Sequence, residues 1–223
     1  MFMRELTAAD FLSAQPPQAL GKNEIHLWFC LRWQGSPRAV AESPYVRALL
    51  ASYLSCAPGD LHIERDRHGK PRLADARLEF NVSHSGGAVL MAVSREQPLG
   101  VDLELSRRSR PVLDLARRYF APGETAALTA LPEAMRQTAF LGLWSCKEAW
   151  LKAQGRGIAF GLHRVVFALD CAGAVTGLQS IDGELAADWS IQRLCPIAEA
   201  TAALAWQGPK CMVRAFQASS ISA

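Results

Sequence analysis

Three short stretches carry the side chains that could do chemistry. Near the middle of the chain, Leu99-Gly100-Val101-Asp102-Leu103-Glu104 sets two carboxylates on alternate positions of an apolar run. Side chains two apart in a strand point the same way, so Asp102 and Glu104 share one face while Val101, Leu103 and Leu105 take the other. Two acids on one face suit a hard cation; they suit equally well a half-exposed strand whose acids are solvated. Further on, Trp144-Ser145-Cys146-Lys147-Glu148-Ala149-Trp150-Leu151-Lys152 places Glu148 and Lys152 four apart, on one edge of a helix and about a turn from each other. On an exposed helix that is an ion pair worth a few tenths of a kcal/mol, but Trp144 and Trp150 argue against free exposure. Earlier, Asn81-Val82-Ser83-His84-Ser85-Gly86-Gly87 ends a strand in small hydrogen-bonding residues and glycines around one histidine. A loop of this kind brings backbone N–H groups, hydroxyls and an imidazole onto a phosphate, although a histidine at a strand end is often simply solvated.

These residues need elements to hold them. Ile25, Leu27, Phe29, Leu31 and Trp33 alternate with His26, Trp28, Cys30 and Arg32, the period of a strand with a buried face. Ser43-Pro44 reads as an N-cap followed by proline at the first helical position, and Tyr45, Ala48, Leu49, Ser52 and Tyr53 recur at helical spacing up to Ala57-Pro58-Gly59. Strands are expected at Leu61 to Arg65, Leu78 to Ser83 and Ala88 to Ser94, with turns at His68-Gly69-Lys70-Pro71 and Gly86-Gly87. The second half differs in texture. Pro111 to Phe120 and Pro122 to Leu131 suggest short helices, and Pro132 to Gln154 a long one capped by Gly155. Strand-like runs follow at Arg164 to Leu169, Trp189 to Leu194, Thr201 to Trp206 and Met212 to Phe216, resembling an antiparallel sheet. Helix and sheet occur in similar proportion in both halves, which allows a duplicated α+β architecture without any residue-level repeat.

Composition excludes little but bounds the rest. With 223 residues, half of them hydrophobic, the chain makes one large domain or two small ones sharing an interface. A net charge of +3 is too small to argue for nucleic acid. The six cysteines show neither CxxC pairs nor zinc-ligand spacing, which favours reduced thiols in a cytosol. The amino terminus has no continuous apolar region, and no run approaches the ~20 apolar residues of a membrane helix, so a cytoplasmic location is expected.

Taken together, Gly69-Lys70-Pro71, Phe80-Asn81-Val82-Ser83-His84-Ser85, Gly100-Val101-Asp102-Leu103-Glu104 and the long-helix run from Trp144 to Lys152 resemble the 4'-phosphopantetheinyl transferases, in their surfactin-type, monomeric class. The likeness runs from about Lys70 to Gly157. It implies two pseudo-symmetric subdomains, each an antiparallel sheet packed with helix: residues 1–99 for coenzyme A binding and 100–223 for the metal and catalytic helix, with the active site at their interface. It also implies transfer of the phosphopantetheine arm of coenzyme A to a serine of an apo acyl-carrier or peptidyl-carrier protein, leaving adenosine 3',5'-bisphosphate. Asp102, Glu104 and Glu148 would be the three carboxylates around Mg2+, or Mn2+, which accepts the same oxygen ligands.

By the family pattern Lys152 would hold the pyrophosphate, Lys70, Ser83 and His84 would grip the 3'-phosphate end, and Glu148 is the leading candidate for general base, reaching the serine hydroxyl directly or through a metal-bound water. Lys147 stands at the edge of the site and Trp144 in packing. Members of the family commonly carry several basic residues between the first strand and first helix, where this chain offers only Arg32, Arg38 and Arg47; Arg38 and Arg47 are the coenzyme A contacts expected there. Arg107, Arg108, Arg110, Arg117 and Arg118, with Phe120 as an apolar anchor, would steer an acidic carrier. A metal-dependent phosphodiesterase, or a non-catalytic coenzyme A or carrier-binding module, are the alternatives.

Overall fold

The structure is a computed structural model that describes residues 3–15, 18–31, 33, 37–107, 109–186 and 188–218, and of Pro37 and Arg38 the backbone alone. Along the first half run β1 (Leu6–Thr7), β2 (Phe11–Ala14), β3 (Glu24–Leu31), helix α1 (Pro44–Leu54), β4 (Ile63–Arg65), β5 (Pro71–Leu73), β6 (Glu79–Ser85) and β7 (Ala88–Ser94). The second half has β8 (Leu99–Leu105), α2 (Val112–Tyr119), α3 (Pro122–Ala130), α4 (Glu133–Ala153), β9 (Val165–Leu169), β10 (Val175–Ile181), β11 (Glu184–Leu185), β12 (Trp189–Cys195), β13 (Ala200–Gln207) and β14 (Met212–Ala218). The helices fall where the proline and glycine signals place them. Ser43 caps α1, accepting from the Val46 N–H at 3.4 Å, with Pro44 at the first helical position. After α4, Gly155 at φ +61° lets Gly155 N–H reach the Lys152 carbonyl and Arg156 N–H the Leu151 carbonyl, the paired bonds of a glycine-closed helix end.

Two sheets lie face to face between two helices. The first has the order β2-β14-β3-β7-β6 and the second β1-β12-β13-β8. Between them sits an apolar cluster to which β3 gives Ile25, Leu27 and Phe29 and β8 gives Val101, Leu103 and Leu105. A second cluster joins Tyr45, Val46, Leu49 and Leu50 of α1 to Trp28 and Val89 on the outer face of the first sheet. A third joins Phe140, Ala149 and Trp150 of α4 to Ile191, Ala203 and Ala205 on the outer face of the second. Being covered by a helix on one side and a sheet on the other, β3 is buried on both faces, beyond the single face its alternation suggests. His26 and Trp28 are both fully buried and share the Tyr53 hydroxyl, at 2.7 Å each.

The duplication is visible in topology. In the segments β3–β7 and β8–β13 the opening strand pairs antiparallel with the closing one, which pairs antiparallel with the one before it: β3-β7-β6 and β8-β13-β12. The long helix follows the first strand in both. The chain ends then cross over. β14 inserts between β2 and β3, parallel to both, and β1 lies parallel against β12. Hydrogen bonding therefore does not follow a cut between residues 99 and 100, because each half completes its sheet with a strand from the other end of the chain. Among the described residues, no helix is long and apolar enough to cross a membrane, and no disulfide joins the six cysteines.

Candidate active site

Everything at the site depends on how β8 is held on its two open sides. Its pleat presents Asp102 and Glu104 toward α4, as the alternation requires, and Gly100 shares that face. A Cβ on Gly100 would lie 2.2 Å from the Ala149 carbonyl oxygen, 2.3 Å from the Ala153 nitrogen and 2.8 Å from the Lys152 carbonyl carbon. Only glycine allows helix backbone this close to strand backbone. That contact brings Glu148 and Lys152 over Asp102.

The outer edge of β8 has no neighbouring strand in its own sheet. Side chains of β6 take the place of one: Val101 N–H donates to Asn81 Oδ1 (2.9 Å), Leu103 N–H to Ser83 Oγ (3.2 Å) and Leu105 N–H to Ser85 Oγ (3.1 Å). Each buried N–H left unpaired would cost roughly 1–3 kcal/mol, so this polar rung pattern both satisfies the edge and fixes the two halves in register. The stretch read from the sequence as a strand end followed by a loop is strand through Ser85. Its turn is Gly86-Gly87 alone, at φ +52° and +84°, the two positive values a tight hairpin needs. Asn81 and Ser85 thus belong to the seam. Their alternate spacing was the available signal.

Ser83 also reaches the chemistry. Its hydroxyl donates to Asp102 Oδ1 (3.1 Å), and Lys152 Nζ donates to Ser83 Oγ (3.0 Å) and Asp102 Oδ1 (2.6 Å). Asp102 is 5% exposed, and its second oxygen, Oδ2, has no partner among the described residues. Neither does the buried Glu148 Oε1. Burial first, and then the charge of Asp102, push the Glu148 carboxyl up to about 7, with Lys152 opposing and Glu104 adding. Glu104 is raised for the same reasons, burial before Asp102, while its Oε2 accepts from Arg110 Nη2 at 2.7 Å. His84 packs edge-on to Trp33 at 5.7 Å, and burial followed by the Lys152 charge lowers its pKa, favouring the neutral ring.

Ser83, His84, Asp102, Glu104 and Lys152 line one cleft of about 300 Å3, with Arg65 and Pro71 farther along its wall. Arg65 escaped sequence reasoning, since nothing marks it among its charged neighbours. Two other expected contacts, Arg47 and Lys70, are held by backbone carbonyls. Arg47 ties α1 to the following loop through the Pro58 (3.0 Å) and Leu61 (2.7 Å) carbonyls. Lys70 Nζ donates to the Leu99 (3.0 Å) and Ala153 (3.2 Å) carbonyls, pinning the start of β8 to the end of α4. The Arg38 side chain, Arg32 and Arg108 fall outside the described residues.

Two expectations are corrected. Lys147 is not at the edge of the site: it is 0% exposed, paired with Glu124 at 2.8 Å, and donates to the Leu162 carbonyl at 3.0 Å and to that of Val165. Glu124 accepts in turn from Ala121 N–H (2.9 Å) and Phe167 N–H (2.8 Å), so the pair binds α3, α4 and β9 together. Lys147→Met, which leaves a buried carboxylate, is expected to cost about 3–5 kcal/mol in urea unfolding, and Lys147→Met with Glu124→Leu to recover most of it. A single-variant loss below about 1 kcal/mol would disprove this. Phe120 is the other correction. It is 4% exposed and stacked on Phe140 at 5.1 Å, so it is a core residue and no surface anchor. Trp144 packs as expected, within 5.8 Å of Tyr119 and 5.7 Å of Phe140.

Among the described residues no three histidine, cysteine or acidic groups form a ready-made metal cluster, and Lys152 and Arg110 take up oxygens of Asp102 and Glu104. The donor chemistry nonetheless fits a hard cation. Among the described residues two buried carboxylate oxygens, Asp102 Oδ2 and Glu148 Oε1, lack partners, and the charges of Asp102 and Glu104 both act on Glu148.

The geometry agrees with what the chain resembles. A family model for the 4'-phosphopantetheinyl transferase superfamily matches residues 98–205, which span β8 to β13. The 4'-phosphopantetheinyl transferase HetI of Nostoc sp. is 36% identical over 175 residues, covering 77% of this chain and 71% of HetI. Sfp of Bacillus subtilis is 32% identical over 119 residues (52% of this chain, 51% of Sfp), and psf-1 of Bacillus pumilus 36% over 115 (51% and 48%). The matches to the two Bacillus proteins thus span about half their length. With a strand-borne acid pair, a helix-borne Glu and Lys packed over it, and more than two thirds of HetI matched, the chain belongs to the 4'-phosphopantetheinyl transferase superfamily.

Proposed function

We propose that the protein transfers the 4'-phosphopantetheine arm of coenzyme A to a serine hydroxyl of an apo acyl-carrier or peptidyl-carrier protein, leaving adenosine 3',5'-bisphosphate. The observation that supports this best is Asp102 in a cleft between the halves, its Oδ1 2.6 Å from the Lys152 ammonium and its Oδ2 without a partner among the described residues, with the Glu148 carboxyl close enough to feel its charge. Asp102, Glu104 and Glu148 would hold Mg2+ or Mn2+, and either ion, when bound, neutralises charge on the pyrophosphate. Phosphoryl transfer is otherwise a matter of positioning and electrostatics. Glu148 accepts the serine proton. Lys152 leaves Asp102 for the pyrophosphate, and Ser83 with neutral His84 meets the 3'-phosphate end.

Incubating the protein with coenzyme A, Mg2+ and an apo-carrier tests the proposal by mass spectrometry. The carrier is expected to gain the arm, and to lose that gain with EDTA or Asp102→Ala. An unmodified carrier alongside cleaved coenzyme A would establish a phosphodiesterase instead; binding without either reaction would establish a binding module.

Lys70 is proposed to act both as a strut and, through its remaining N–H proton, toward the 3'-phosphate end. Lys70→Ala should therefore lower stability by about 1–3 kcal/mol and raise the KM for coenzyme A more than it lowers turnover. An unchanged KM would leave only the strut. Arg107, Arg117 and Arg118 are proposed to steer the acidic carrier, with the enzyme acting as a cytoplasmic monomer.

A further inference from the structure

The three acids of the site are not held alike. Asp102 is anchored on Oδ1 by Ser83 and Lys152, which leaves Oδ2 free. Glu148 rides on α4 and keeps Oε1 free. Glu104 is more exposed than Asp102, at 17% of its side chain against 7%, and stands next to the end of β8. A long side chain so placed samples several rotamers unless something fixes it. Arg110 fixes it, through Nη2 to Glu104 Oε2 at 2.7 Å. The guanidinium comes from the segment directly before α2, where Pro111 restricts the backbone.

The side from which Arg110 approaches decides what it can do. Lys152 lines the cleft beside Asp102, so a phosphate entering there meets Lys152 directly. Arg110 does not line that cleft. It lines an outer hollow on the α2 side with Pro111, Leu113, Glu133 and Arg136, and reaches Glu104 from behind. A ligand filling the cleft therefore has no need to displace it.

We infer that Arg110 is a positioning residue: it grips Glu104 Oε2 from outside the cleft and so presents Glu104 Oε1 to the cation. This rests on the proposal that Asp102, Glu104 and Glu148 hold a divalent ion. Partners that orient a ligating carboxylate from behind are typically worth 10- to 100-fold in metal affinity. A competitor that covers the carboxylate would have the opposite effect.

The test is Mn2+ binding to the full-length protein, with Mn2+ alone as the probe, followed by electron paramagnetic resonance of the free ion. Arg110→Gln is expected to weaken binding at least ten-fold, while Arg110→Lys, which keeps a cationic donor, stays within about three-fold of the parent. Transfer at saturating Mn2+ should recover most of its turnover in Arg110→Gln, with the defect confined to metal dependence. Unchanged affinity in Arg110→Gln would make the contact a surface ion pair, and tighter binding would make Arg110 a competitor; either result overturns the inference. Circular dichroism guards against misfolding, and Arg77→Gln, an exposed arginine ion-paired with Asp75 far from the cleft's acids in sequence, serves as the surface control. If the parent protein and Asp102→Ala bind Mn2+ equally, the metal site itself is wrong, a failure distinct from that of Arg110.

Discussion

Gly100→Ala is expected to reduce transfer about 100-fold while leaving every residue that touches substrate in place. The new methyl would lie 2.2 Å from the Ala149 carbonyl oxygen and 2.3 Å from the Ala153 nitrogen. Both are backbone atoms of α4, so no side chain can swing away to make room. The helix must withdraw by on the order of 1 Å, a displacement that commonly costs a hundred-fold when it separates groups that act together. Here it would separate Glu148 and Lys152 from Asp102. Overpacking should also lower stability by about 1–3 kcal/mol. Steady-state kinetics and urea unfolding on the same preparation check both effects. Because the acids and Lys152 remain, the loss should fall on turnover more than on the KM for coenzyme A. Turnover within three-fold of the parent would refute the close contact.

Glu148→Gln should separate activity from stability. If Glu148 is the base, as proposed, its amide cannot carry the proton transfer, so transfer should fall roughly 10²–10⁴-fold. Folding should respond with the opposite sign. The native carboxyl titrates at about 7, above its ordinary value of 4.5, so between those limits the folded chain binds more protons than the unfolded one. Stability contributed by the protonated group is complete below about pH 4.5 and lost as the pH rises through about 7. In metal-free buffer the variant should thus match the parent at pH 4.5 and exceed it above pH 7, by on the order of 1–2 kcal/mol given the partial exposure of the group. Equal stability at both pH values would show that burial and Asp102 do not strain the carboxylate.

Each of these effects traces to one contact between a strand and a helix 50 residues apart in sequence, and so does the limit of what the sequence alone makes plain. The acids at 102 and 104, and Glu148 with Lys152, were legible because their spacings, two and four, are the local periods of strand and helix. The helices were legible for a similar reason. Proline and glycine act on their own backbone, and the boundaries they mark are close to those found. Lys147 and Phe120 were misplaced because their neighbours come from afar: Glu124 and Phe140 surround them only after α3 and α4 pack. Lys70 and Arg47 offered charge without direction, and the carbonyls that receive them belong to other elements.

By itself, then, the sequence determined which groups exist and which local face each occupies: Asp102 and Glu104 together, Val101 and Leu103 opposite, Glu148 and Lys152 on one helix edge. Tertiary structure alone decided that these faces meet. Gly100 admits α4, the alternate polar side chains of β6 satisfy the edge of β8, and the crossed terminal strands complete both sheets. The physical reason is that periodicity is set by covalent geometry within a few residues, whereas the charge state of Glu148, the unpartnered oxygens and the orientation of Glu104 depend on desolvation by segments far along the chain.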